Sequence, residues 1–460
     1  MISILDPEEG ETVCDPCCGS GGFLIRAFEY VKNKIERHVQ IVKEQVERDL
    51  ISVDLDRLPA NELDDLTSQL DKSLSYLNNE LDISNREGRL WKLSSDCIYG
   101  VDANPRMART AKMNMIMHGD GHGGIHHHDG LLNINGVFDG RFDVILTNPP
   151  FGARVERSLH VTDNDVPTPD KIDIYKEKYG ERYEKFVVEP LRVYAAQDNG
   201  KDKEGNSKPK GKPIIDLFES GNQSSLTEVL FLERCLNLLR PGGRLGVVLP
   251  EGVLNNSQLY HIREFVEGRA KMLNITSIPQ DVFMASGATV KPSLVFLKKF
   301  TETEAATYAA LLAEEEAKAD AIYEPQKQTL IAAFTKEEEA APKAKWKALK
   351  KAHLEHLAKL KAQQTAAVRQ AVKARFNYPV PIVEVEKAGI SSTGAVIENE
   401  LEPLAAEFSA YRRAQHLWEN KSEYARYYLR PDGQGLHRVL RGEEAPAAGK
   451  LVTVPILQIA

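Results

Sequence analysis

The sequence predicts an α/β protein with a doubly wound, mostly parallel β-sheet, a helical insertion and a C-terminal helical region. Two observations predict this fold. Apolar segments with strand character alternate with helical segments over residues 1–300, which is typical of a parallel sheet covered by helices on both faces. From residue 301 the chain becomes rich in alanine and helical in pattern.

The composition is that of an ordinary globular protein. Of the 460 residues, 42% are hydrophobic and 27% are charged, which suits two or three domains. Five cysteines, three of them within residues 14–18, do not form a disulfide framework and predict a reducing cytoplasm. The first residues lack the basic and apolar regions of a signal peptide, and the chain has no run of 18 apolar residues, so neither a signal peptide nor membrane association is expected. A formal charge of −8 argues against a protein that coats nucleic acid with a generally cationic surface, but it permits a local basic cleft.

Seven strands and three helices are predicted in the first 300 residues. The strands are Glu11–Cys14, Cys97–Asp102, Ile125–His128, Phe142–Thr147, Arg244–Pro250, Ile275–Ile278 and Ser293–Lys298. The helices are Gly22–Tyr30, Arg106–His118 and Leu226–Leu239. The last helix is followed by the stop signal Arg240-Pro241-Gly242-Gly243.

Two insertions interrupt this alternation. Between about residues 31 and 95, two apolar runs at helical spacing flank Pro59, which predicts an antiparallel helical pair. The second insertion, about residues 155–213, ends in the lysine- and glycine-rich segment 201–212. Because it lacks apolar periodicity, we predict a mobile loop there.

The region 301–376 divides into an acidic and a basic half. Residues 301–340 carry ten acidic side chains and three lysines, whereas residues 341–375 carry ten basic side chains and one glutamate. Pro325 and Pro342 are expected to break the helices. The preferred interpretation is a helical hairpin whose opposite charges face each other or water, and the alternative is a dedicated DNA or partner surface.

The tail, residues 377–460, is predicted to contain one strong helix, Ile397 to Arg413, and then an irregular segment. Apolar residues of this helix recur at three- and four-residue steps and form a face suited to another helix. These residues are Leu401, Leu404, Phe408 and Tyr411. The face packs either on the chain's own domain or on a partner.

A glycine-rich loop after the first strand is the strongest cofactor signal. It reads Cys14-Asp15-Pro16-Cys17-Cys18-Gly19-Ser20-Gly21-Gly22-Phe23-Leu24 and opens a helix. Gly19 and Gly21 permit a ligand to approach the backbone, and the helix amino terminus favours an anionic group. Asp15 would repel a pyrophosphate but can hold an ammonium group. The combination therefore fits a nucleoside that bears an amino acid, S-adenosylmethionine.

Acidic residues after the next two strands complete this prediction. Asp102, at the end of the second strand, can accept hydrogen bonds from both ribose hydroxyls. Asp129 and Gly130, after the third strand, are expected to contact the adenine ring. The predicted cofactor-binding residues are Asp15, Pro16, Cys17, Gly19, Ser20, Gly21, Gly22, Phe23, Asp102, Asp129 and Gly130. No metal site is expected, because the cysteines at 14, 17 and 18 lack a second pair at zinc-finger distance.

The most specific feature is Asn148-Pro149-Pro150-Phe151, which follows the buried strand Phe142–Thr147. A conjugated amino group or an amide is a poor nucleophile because its lone pair is delocalised. The side-chain oxygen of Asn148 and the carbonyl of Pro149 can accept both amine hydrogens and direct the lone pair at a methyl donor. The prolines fix the backbone, and Phe151 can stack on a planar ring that has left its helix. These four residues are the predicted catalytic residues.

With these motifs the chain resembles the adenine-specific N6 DNA methyltransferases, and in particular the methylation (M) subunits of type I restriction-modification systems. The matching segments are residues 15–24, 100–102, 148–151, 242–250 with 252–254, and 385–401 in the tail. The resemblance implies a Rossmann-like class I methyltransferase domain at 1–300 that uses S-adenosylmethionine to methylate N6 of a flipped adenine in double-stranded DNA. It also implies a specificity subunit and a restriction or translocase subunit as partners, with the tail at 377–460 docking a partner. On that basis, deletion of the tail is expected to abolish assembly and leave the domain folded.

Two features depart from the family pattern. Family members carry a helical domain and a Phe-Thr-Pro-Arg-like segment before the glycine-rich loop, whereas this sequence begins about ten residues before that loop. The expectation is either a truncated product or a separate chain that supplies the missing part. The insertion at 31–95 is the second departure. Alternative functions are methylation of an RNA base or of a protein glutamine, in which tyrosine is usual at the position of Phe151, and a non-catalytic DNA-clamping subunit.

Overall fold

The computed structural model describes residues 1–51, 59–120, 123–200, 207, 209–284, 290–340, 342, 346–418 and 424–453. The chain divides into two compact units. The α/β unit comprises Met1–Lys299 and Ile382–Ala460, and the hairpin unit comprises Phe300–Pro381. Within the described ranges, no helix has an apolar stretch long enough to cross a membrane.

An eight-stranded mixed sheet organises the α/β unit. Its strands are β1 (Val13–Asp15), β2 (Ile98–Asp102), β3 (Ile125–His127), β4 (Phe142–Thr147), β5 (Leu239–Pro250), β6 (Ala270–Ser277), β7 (Pro292–Lys299) and β8 (Ile382–Glu384). The spatial order is β3-β2-β1-β4-β5-β7-β6-β8. The first five strands of this order are parallel, β7 is antiparallel to both of its neighbours, and β8 is parallel to β6. The predicted doubly wound, mostly parallel sheet is confirmed.

Helices cover both faces of the sheet. In the described part of the α/β unit up to β7 they are α1 (Ile2–Leu5), α2 (Gly22–Ile51), α3 (Ala60–Glu80), α4 (Arg89–Lys92), α5 (Pro105–Met117), α6 (Pro169–Tyr179), α7 (Glu181–Tyr183), α8 (Glu189–Ala196), α9 (Thr227–Leu238), α10 (Glu251–Asn255), α11 (Tyr260–Glu267) and α12 (Asp281–Met284). Alternate residues of β4 enter separate hydrophobic cores. Val144 and Leu146 pack in the core that contains α2, whereas Ile145 packs in the core that contains α9. Burial on both faces explains why this strand is a continuous apolar run.

The first insertion contains two helices, but its first helix is continuous with the one that follows β1. Helix α2 runs from Gly22 to Ile51, so the expectation that the helix ends near Tyr30 was wrong. Its apolar stripe continues without a helix stop signal, and so the periodicity fits one long helix. The buried residues of the stripe include Leu24, Phe28, Val31, Ile35, Val39, Val42 and Val46. Residues 52–58 of the insertion lie outside the described part of the chain.

The loop predicted at about 155–213 was wrong for Pro169–Ala196. This segment forms α6, α7 and α8, with a π-helical turn at Glu184–Val188 before α8. Its apolar residues recur every fourth position and provide the periodicity that the prediction missed. They are Tyr175, Tyr179, Tyr183, Val187 and Leu191, of which the last three are buried. Residues 201–206 and 208, in the lysine-rich end of the predicted loop, lie outside the described residues.

The hairpin unit consists of α13 (Glu302–Ala340) and α14 (Trp346–Arg375). The pair is antiparallel, because Glu315 in the first half of α13 contacts Arg375 at the end of α14, whereas Asp320, further along α13, contacts the earlier residue Gln364. Pro342 lies between the helices, but Pro325 lies inside α13, so the expected break there was wrong. Apolar contacts across the pair offset the backbone hydrogen bond that a proline cannot donate.

The tail of the α/β unit is more regular than predicted. It adds a two-stranded sheet of β9 (Ala388–Ile390) and β10 (Val396–Asn399), helix α15 (Leu401–Ala414), and a three-stranded sheet of β11 (Ala425–Leu429), β12 (Leu436–Leu440) and β13 (Lys450–Leu451). The helix therefore begins at Leu401, not Ile397, and strands replace the expected irregular segment. Residues 419–423 and 454–460 of this tail are not described.

The apolar face of α15 packs on the chain itself. Phe408 is buried, and Arg412 pairs with Asp6 directly after α1 at 3.1 Å. The expectation that this face docks a partner was wrong, because the core of the same unit already uses it. Tyr427 of β11 is also buried and accepts a hydrogen bond from Arg89 at 3.1 Å. Since β8 belongs to the central sheet as well, the tail is an integral part of the α/β unit.

Candidate functional site

The site predicted from sequence lies where the strand order of the sheet reverses. The chain passes from β1 through β2 to β3 on one side, and then returns to place β4 on the other side of β1. Ligands of doubly wound folds bind in the crevice at the carboxyl ends of the strands at such a switch point. The glycine-rich loop follows β1 and Asn148 follows β4, so both flank this crevice.

The glycine-rich loop needs glycine for two different reasons. Gly19 and Gly21 have positive φ angles of 54° and 87°, which other residues rarely adopt. A methyl group added at Gly19 or at Gly22 would meet no atom within 4 Å, so these residues border open space. A methyl group at Gly21 would lie 3.3 Å from the Cβ atom of Ala111 on α5. Gly21 therefore permits close packing of two helices, whereas Gly19 and Gly22 leave room beside the backbone.

Asp15 is a buried acid at the end of β1, with 2% of its surface exposed. Its Oδ1 atom accepts hydrogen bonds from the Thr147 hydroxyl at 2.7 Å and from the Cys17 backbone at 3.1 Å. Burial raises the pKa of Asp15 to about 7; these two hydrogen bonds lower it, and the charge of Asp102 raises it. A carboxyl with this pKa gains most from a cationic partner, because such a partner stabilises its ionised form.

Asp102 lies beside the loop at the end of the neighbouring strand. Its Oδ2 atom accepts a hydrogen bond from the Gly19 backbone at 2.9 Å, and its Oδ1 atom accepts one from the Asn104 backbone at 2.8 Å. Asn104 in turn caps α5 through its side chain. Asp102 is half-buried, so its carboxylate is held in a fixed position at the rim of the crevice.

The residues after β3 also reach the loop. A methyl group on Gly130 would lie 1.9 Å from the Pro16 carbonyl, so only glycine permits this approach. Asp129 accepts a hydrogen bond from the Leu131 backbone at 2.9 Å, and burial raises its pKa. Ser20, at the far end of the loop, is held through its carbonyl by the Asn114 side chain at 2.9 Å. Phe23 is half-buried against the core of the same helix.

The turn after β4 exposes the side chain of Asn148 to solvent and packs Pro149 and Phe151 against the protein. Asn148 is exposed, Pro149 is buried and Phe151 is half-buried. The ring of Phe151 meets that of Phe283 on α12 edge to face, with 6.0 Å between centroids. Phe283 was not predicted from sequence, because it lies in a four-residue helix without a motif.

Thr147 joins the two halves of the site and was also missed. It immediately precedes Asn148, and its hydroxyl donates to Asp15 while lying 2.9 Å from the sulfur of Cys17. The loop after β1 and the turn after β4 are therefore connected through one side chain. A threonine at a strand end is common for its β propensity, so the sequence carries no signal of this role.

A buried glutamate on α9 holds the segment that follows the turn. The backbone N–H of Gly152 donates to both carboxylate oxygens of Glu228, at 3.2 and 3.3 Å. The next residues pair with the same helix start, since Thr227 donates to the Ala153 carbonyl at 3.0 Å. An acid inside the apolar segment 226–239 is the signal that could have revealed Glu228, because buried acids need partners.

The chemistry of this donor set fits S-adenosylmethionine. Asp15, a buried acid with a pKa of about 7, suits an ammonium group. Asp102, whose carboxylate lies at the rim of the crevice, suits the two hydroxyls of a ribose. Open space lies beside the backbone at Gly19 and Gly22. Cys14, Cys17 and Cys18 are reduced, and burial raises the pKa of each thiol. Among the described residues, no group of three or more His, Cys, Asp or Glu side chains is arranged to hold a metal ion.

Comparisons with known proteins agree with this chemistry. Residues 208–377 match the family model described as N-6 DNA Methylase, and residues 1–163 match one described as RMKL-like, methyltransferase domain. The chain is therefore similar to the N-6 DNA methylases over residues 208–377 and to a methyltransferase domain over residues 1–163.

Curated relatives and solved structures carry consistent names. The methylase subunit of the type I restriction enzyme EcoEI from Escherichia coli is 22% identical over 306 residues, which are 66% of this chain and 41% of that protein. The EcoKI methylase subunit of Escherichia coli K12 is also 22% identical, over 65% of this chain and 38% of its own length. A crystal structure of a modification subunit of a putative type I restriction enzyme from Vibrio vulnificus has a TM-score of 0.36 and 20% identity, covering 65% of this chain and 42% of that one. The chain thus spans about two fifths of the length of the relatives it matches.

Proposed function

We propose that this protein transfers the methyl group of S-adenosylmethionine to N6 of adenine in double-stranded DNA. The observation that carries the proposal is the connection between Asp15 and the turn at Asn148. The Thr147 hydroxyl donates to Asp15 at 2.7 Å, and Asn148 is the next residue along the chain. This connection supports the proposal, because Asp15, which would hold the methyl donor, lies close to a turn suited to an amino nucleophile.

Asp15 and Asp102 are the residues that would hold the cofactor. Asp15 would pair with the ammonium group and Asp102 would accept from the ribose hydroxyls, while the amino terminus of α2 would face the carboxylate. Gly19 and Gly22 leave the space beside the loop, and Asp129 would contact the adenine. When bound, S-adenosylmethionine supplies an electrophilic methyl group.

Asn148 and Pro149 would act on the target amine. Two acceptor oxygens can accept hydrogen bonds from both N–H groups of an exocyclic amino group, draw its nitrogen toward tetrahedral geometry and so localise its lone pair. When the nitrogen forms its bond to the methyl group, the bond from methyl to sulfur would break, S-adenosylhomocysteine would leave and the nitrogen would release one proton. No deprotonated base is required before attack, so positioning supplies most of the rate. The buried Pro149 and the bond between Glu228 and Gly152 keep the turn in place before the substrate arrives.

Phe151 and Phe283 would form the pocket for the target base. A base inside a duplex is not accessible, so it must leave the stack and be held by stacking. The edge-to-face contact with Phe283 fixes the ring of Phe151, and its other surface can then receive a planar ring.

We also propose that the chain works with a sequence-reading subunit and a restriction or translocase subunit. The relatives are named as methylase subunits of type I restriction enzymes, and a methylating domain needs contacts to flanking bases to select its site. Because α15 packs on the chain's own core, we propose that such a subunit would dock on another surface of the chain.

Titration with S-adenosylmethionine tests the cofactor assignment. We expect Asp102→Ala to weaken binding by about 1–3 kcal/mol, because a hydroxyl loses its charged acceptor. Asp143→Asn, at a buried acid of β4 that bonds Thr12 away from the crevice, serves as the control. Equal affinities of wild type and the Asp102 variant would contradict the assignment.

A further inference from the structure

The segment that follows the turn at Asn148 carries an arginine that the proposed methyl transfer does not use. Arg154 is exposed and lies three residues after Phe151. Because consecutive Cα atoms are about 3.8 Å apart, the Cα atom of Arg154 lies at most about 11 Å from that of Phe151. Its long side chain is therefore close enough to reach a nucleotide whose base stacks on Phe151.

Backbone hydrogen bonds to the start of α9 fix the segment that carries Arg154. On one side of this residue, Thr227 donates to the Ala153 carbonyl at 3.0 Å. On the other side, Val155 donates to the Ser225 carbonyl at 2.8 Å. Main-chain contacts thus set the position of Arg154, and its side chain is not required to hold the segment.

The guanidinium of Arg154 has no carboxylate partner among the residues that the structure describes. Its Nη1 atom donates to the Ser225 hydroxyl at 3.1 Å, and a guanidinium has further N–H donors beyond the one in this bond. Arg157, three residues later, differs because it pairs with Asp216 at 3.4 Å. The charge of Arg157 is therefore compensated within the chain, whereas that of Arg154 is not.

An exposed strip of chain connects the turn with Arg154. Asn148 and Pro150 are exposed, and so are Gly152 and Ala153. A methyl group added at Gly152 would meet no atom within 4 Å, so the chain borders open space there. A polymer bound at the turn can therefore follow this strip to the guanidinium.

A phosphate is the group that best fits this cation. A base that leaves the duplex brings its sugar and its flanking phosphates toward the protein, and phosphate contacts fix the position of the nucleic acid. A guanidinium binds phosphate oxygens through two parallel hydrogen bonds. A carboxylate of a partner protein could also pair with Arg154, but only a phosphate must lie near a base that stacks on Phe151.

We infer that Arg154 binds a phosphate of the target nucleotide and so positions the flipped adenine for attack. This inference rests on the proposed function, because it requires a base that leaves a duplex. The contact adds no sequence preference, since every nucleotide carries the same phosphate. It stabilises the extruded nucleotide and does not contribute to the binding of S-adenosylmethionine.

Duplexes with one uncharged phosphate test the inference in the complex isolated from its own cells. Mapping of N6-methyladenine in the DNA of those cells first locates the target adenine. Either flanking phosphate of this adenine is then replaced by a methylphosphonate. For wild type, one of the two replacements should raise the KM for DNA about tenfold, because a charge-assisted hydrogen bond is lost. The KM of Arg154→Gln should be about tenfold higher with the unmodified duplex and should not rise further with that replacement.

Two other variants separate phosphate binding from a structural role. Arg157→Gln is the matched control, because it removes the same charge from a residue that is paired within the chain. It should behave like wild type with every duplex. Arg154→Lys should recover part of the affinity, since it restores the charge but not the planar guanidinium.

Three results would overturn the inference. The first is an equal KM for wild type and Arg154→Gln, and the second is additive effects of this substitution and the phosphate replacement. The third is a loss of activity in Arg154→Gln although neither replacement affects wild type, which would assign Arg154 to a protein partner. Failure of the proposed function is read separately, as absence of DNA methylation by wild type, and would overturn both.

Discussion

Asp15 is the acid of the candidate site whose ionisation we expect to depend on a bound ligand. Its pKa of about 7 in the folded chain lies above the ordinary value of 3.8, because burial disfavours the charge. Folding therefore favours the protonated form. The stability gained in this way is complete below about pH 4 and is lost as the pH rises through 7.

Asp15→Asn is expected to change stability and binding in opposite directions. At pH 8 the variant lacks a buried negative charge, so its melting temperature without ligand should exceed that of wild type. Its affinity for S-adenosylmethionine should fall by about 1–3 kcal/mol, because the ammonium loses its counter-charge. Melting curves and ligand titrations at pH 6 and 8 measure both effects.

The pH dependence provides the control for this prediction. The affinity of wild type for S-adenosylmethionine should increase from pH 6 to pH 8 as Asp15 ionises. The Asn variant should lack this increase, because its residue 15 does not ionise. Parallel pH profiles for the two proteins would show that Asp15 does not contact the cofactor.

Sequence patterns predicted the candidate-site residues that lie in a local motif. Asp15, Asp102 and Asn148 each follow a strand and occur in a short recognisable pattern. Thr147 and Glu228 could not be predicted in the same way, because their partners lie 132 and 76 residues away in sequence. Their roles depend on which strands and helices become neighbours.

At the scale of elements, the start of α9 positions the turn that follows β4. Glu228 accepts the Gly152 N–H, and the adjacent backbone pairs with residues 153 and 155. Glu233, one and a half turns further along, is a buried acid that instead accepts from the backbone of Glu219 and Ser220 at 2.9 Å. The same helix thus offers two similar carboxylates with different neighbours.

Glu228→Ala is expected to lower the rate of methyl transfer more than ligand affinity. Loss of the acceptor leaves the Gly152 N–H without its partner and loosens the turn, at a cost of about 1–3 kcal/mol. Glu228→Gln keeps an acceptor oxygen and should recover most of the rate. Single-turnover rates, with S-adenosylmethionine titrations in parallel, separate the two effects.

Glu233→Ala is the matched control for this helix. It should lower thermal stability by a similar amount and leave the rate per folded molecule unchanged. If both alanine variants lose rate in proportion to stability, Glu228 has a structural role only.

Sequence patterns predicted some strands and helices correctly and missed others. Strand β4 was predicted with its observed limits because it is a buried apolar run that ends in a rigid turn. Helices α6 to α8 were missed because their four-residue repeat is formed largely by tyrosines, which a search for aliphatic periodicity overlooks. Pro325 was expected to end a helix, but contacts between α13 and α14 outweighed that local preference.

At the scale of the whole molecule, the α/β unit is completed by residues far from it in sequence. Strand β8 extends the central sheet, and the guanidinium of Arg89 is buried between Glu9 and Tyr427. The hairpin unit is inserted between β7 and β8 and has its own small core. The tail therefore belongs to the fold of the α/β unit, and the hairpin is a separate unit.

Two deletions distinguish these roles. Removal of residues 382–460 should leave an aggregated or molten product, because it exposes β6 and leaves Arg89 and Glu9 without their surroundings. Replacement of residues 301–376 by a short flexible linker should preserve cooperative unfolding of the remainder. Circular dichroism and thermal melting follow both outcomes. A cooperative melt after removal of 382–460 would contradict this assignment.

The central claim is that Asn148 directs an adenine amine at the methyl donor bound beside Asp15. The most direct test compares wild type and Asn148→Ala, isolated with the proteins that accompany the chain in its own cells. Each is incubated with methyl-labelled S-adenosylmethionine and unmodified duplex DNA, and the nucleosides are then separated. We predict label in N6-methyladenine for wild type and none for the variant, with equal cofactor affinity in both. No label in N6-methyladenine with wild type, or equal labelling of DNA by the variant, would contradict the account.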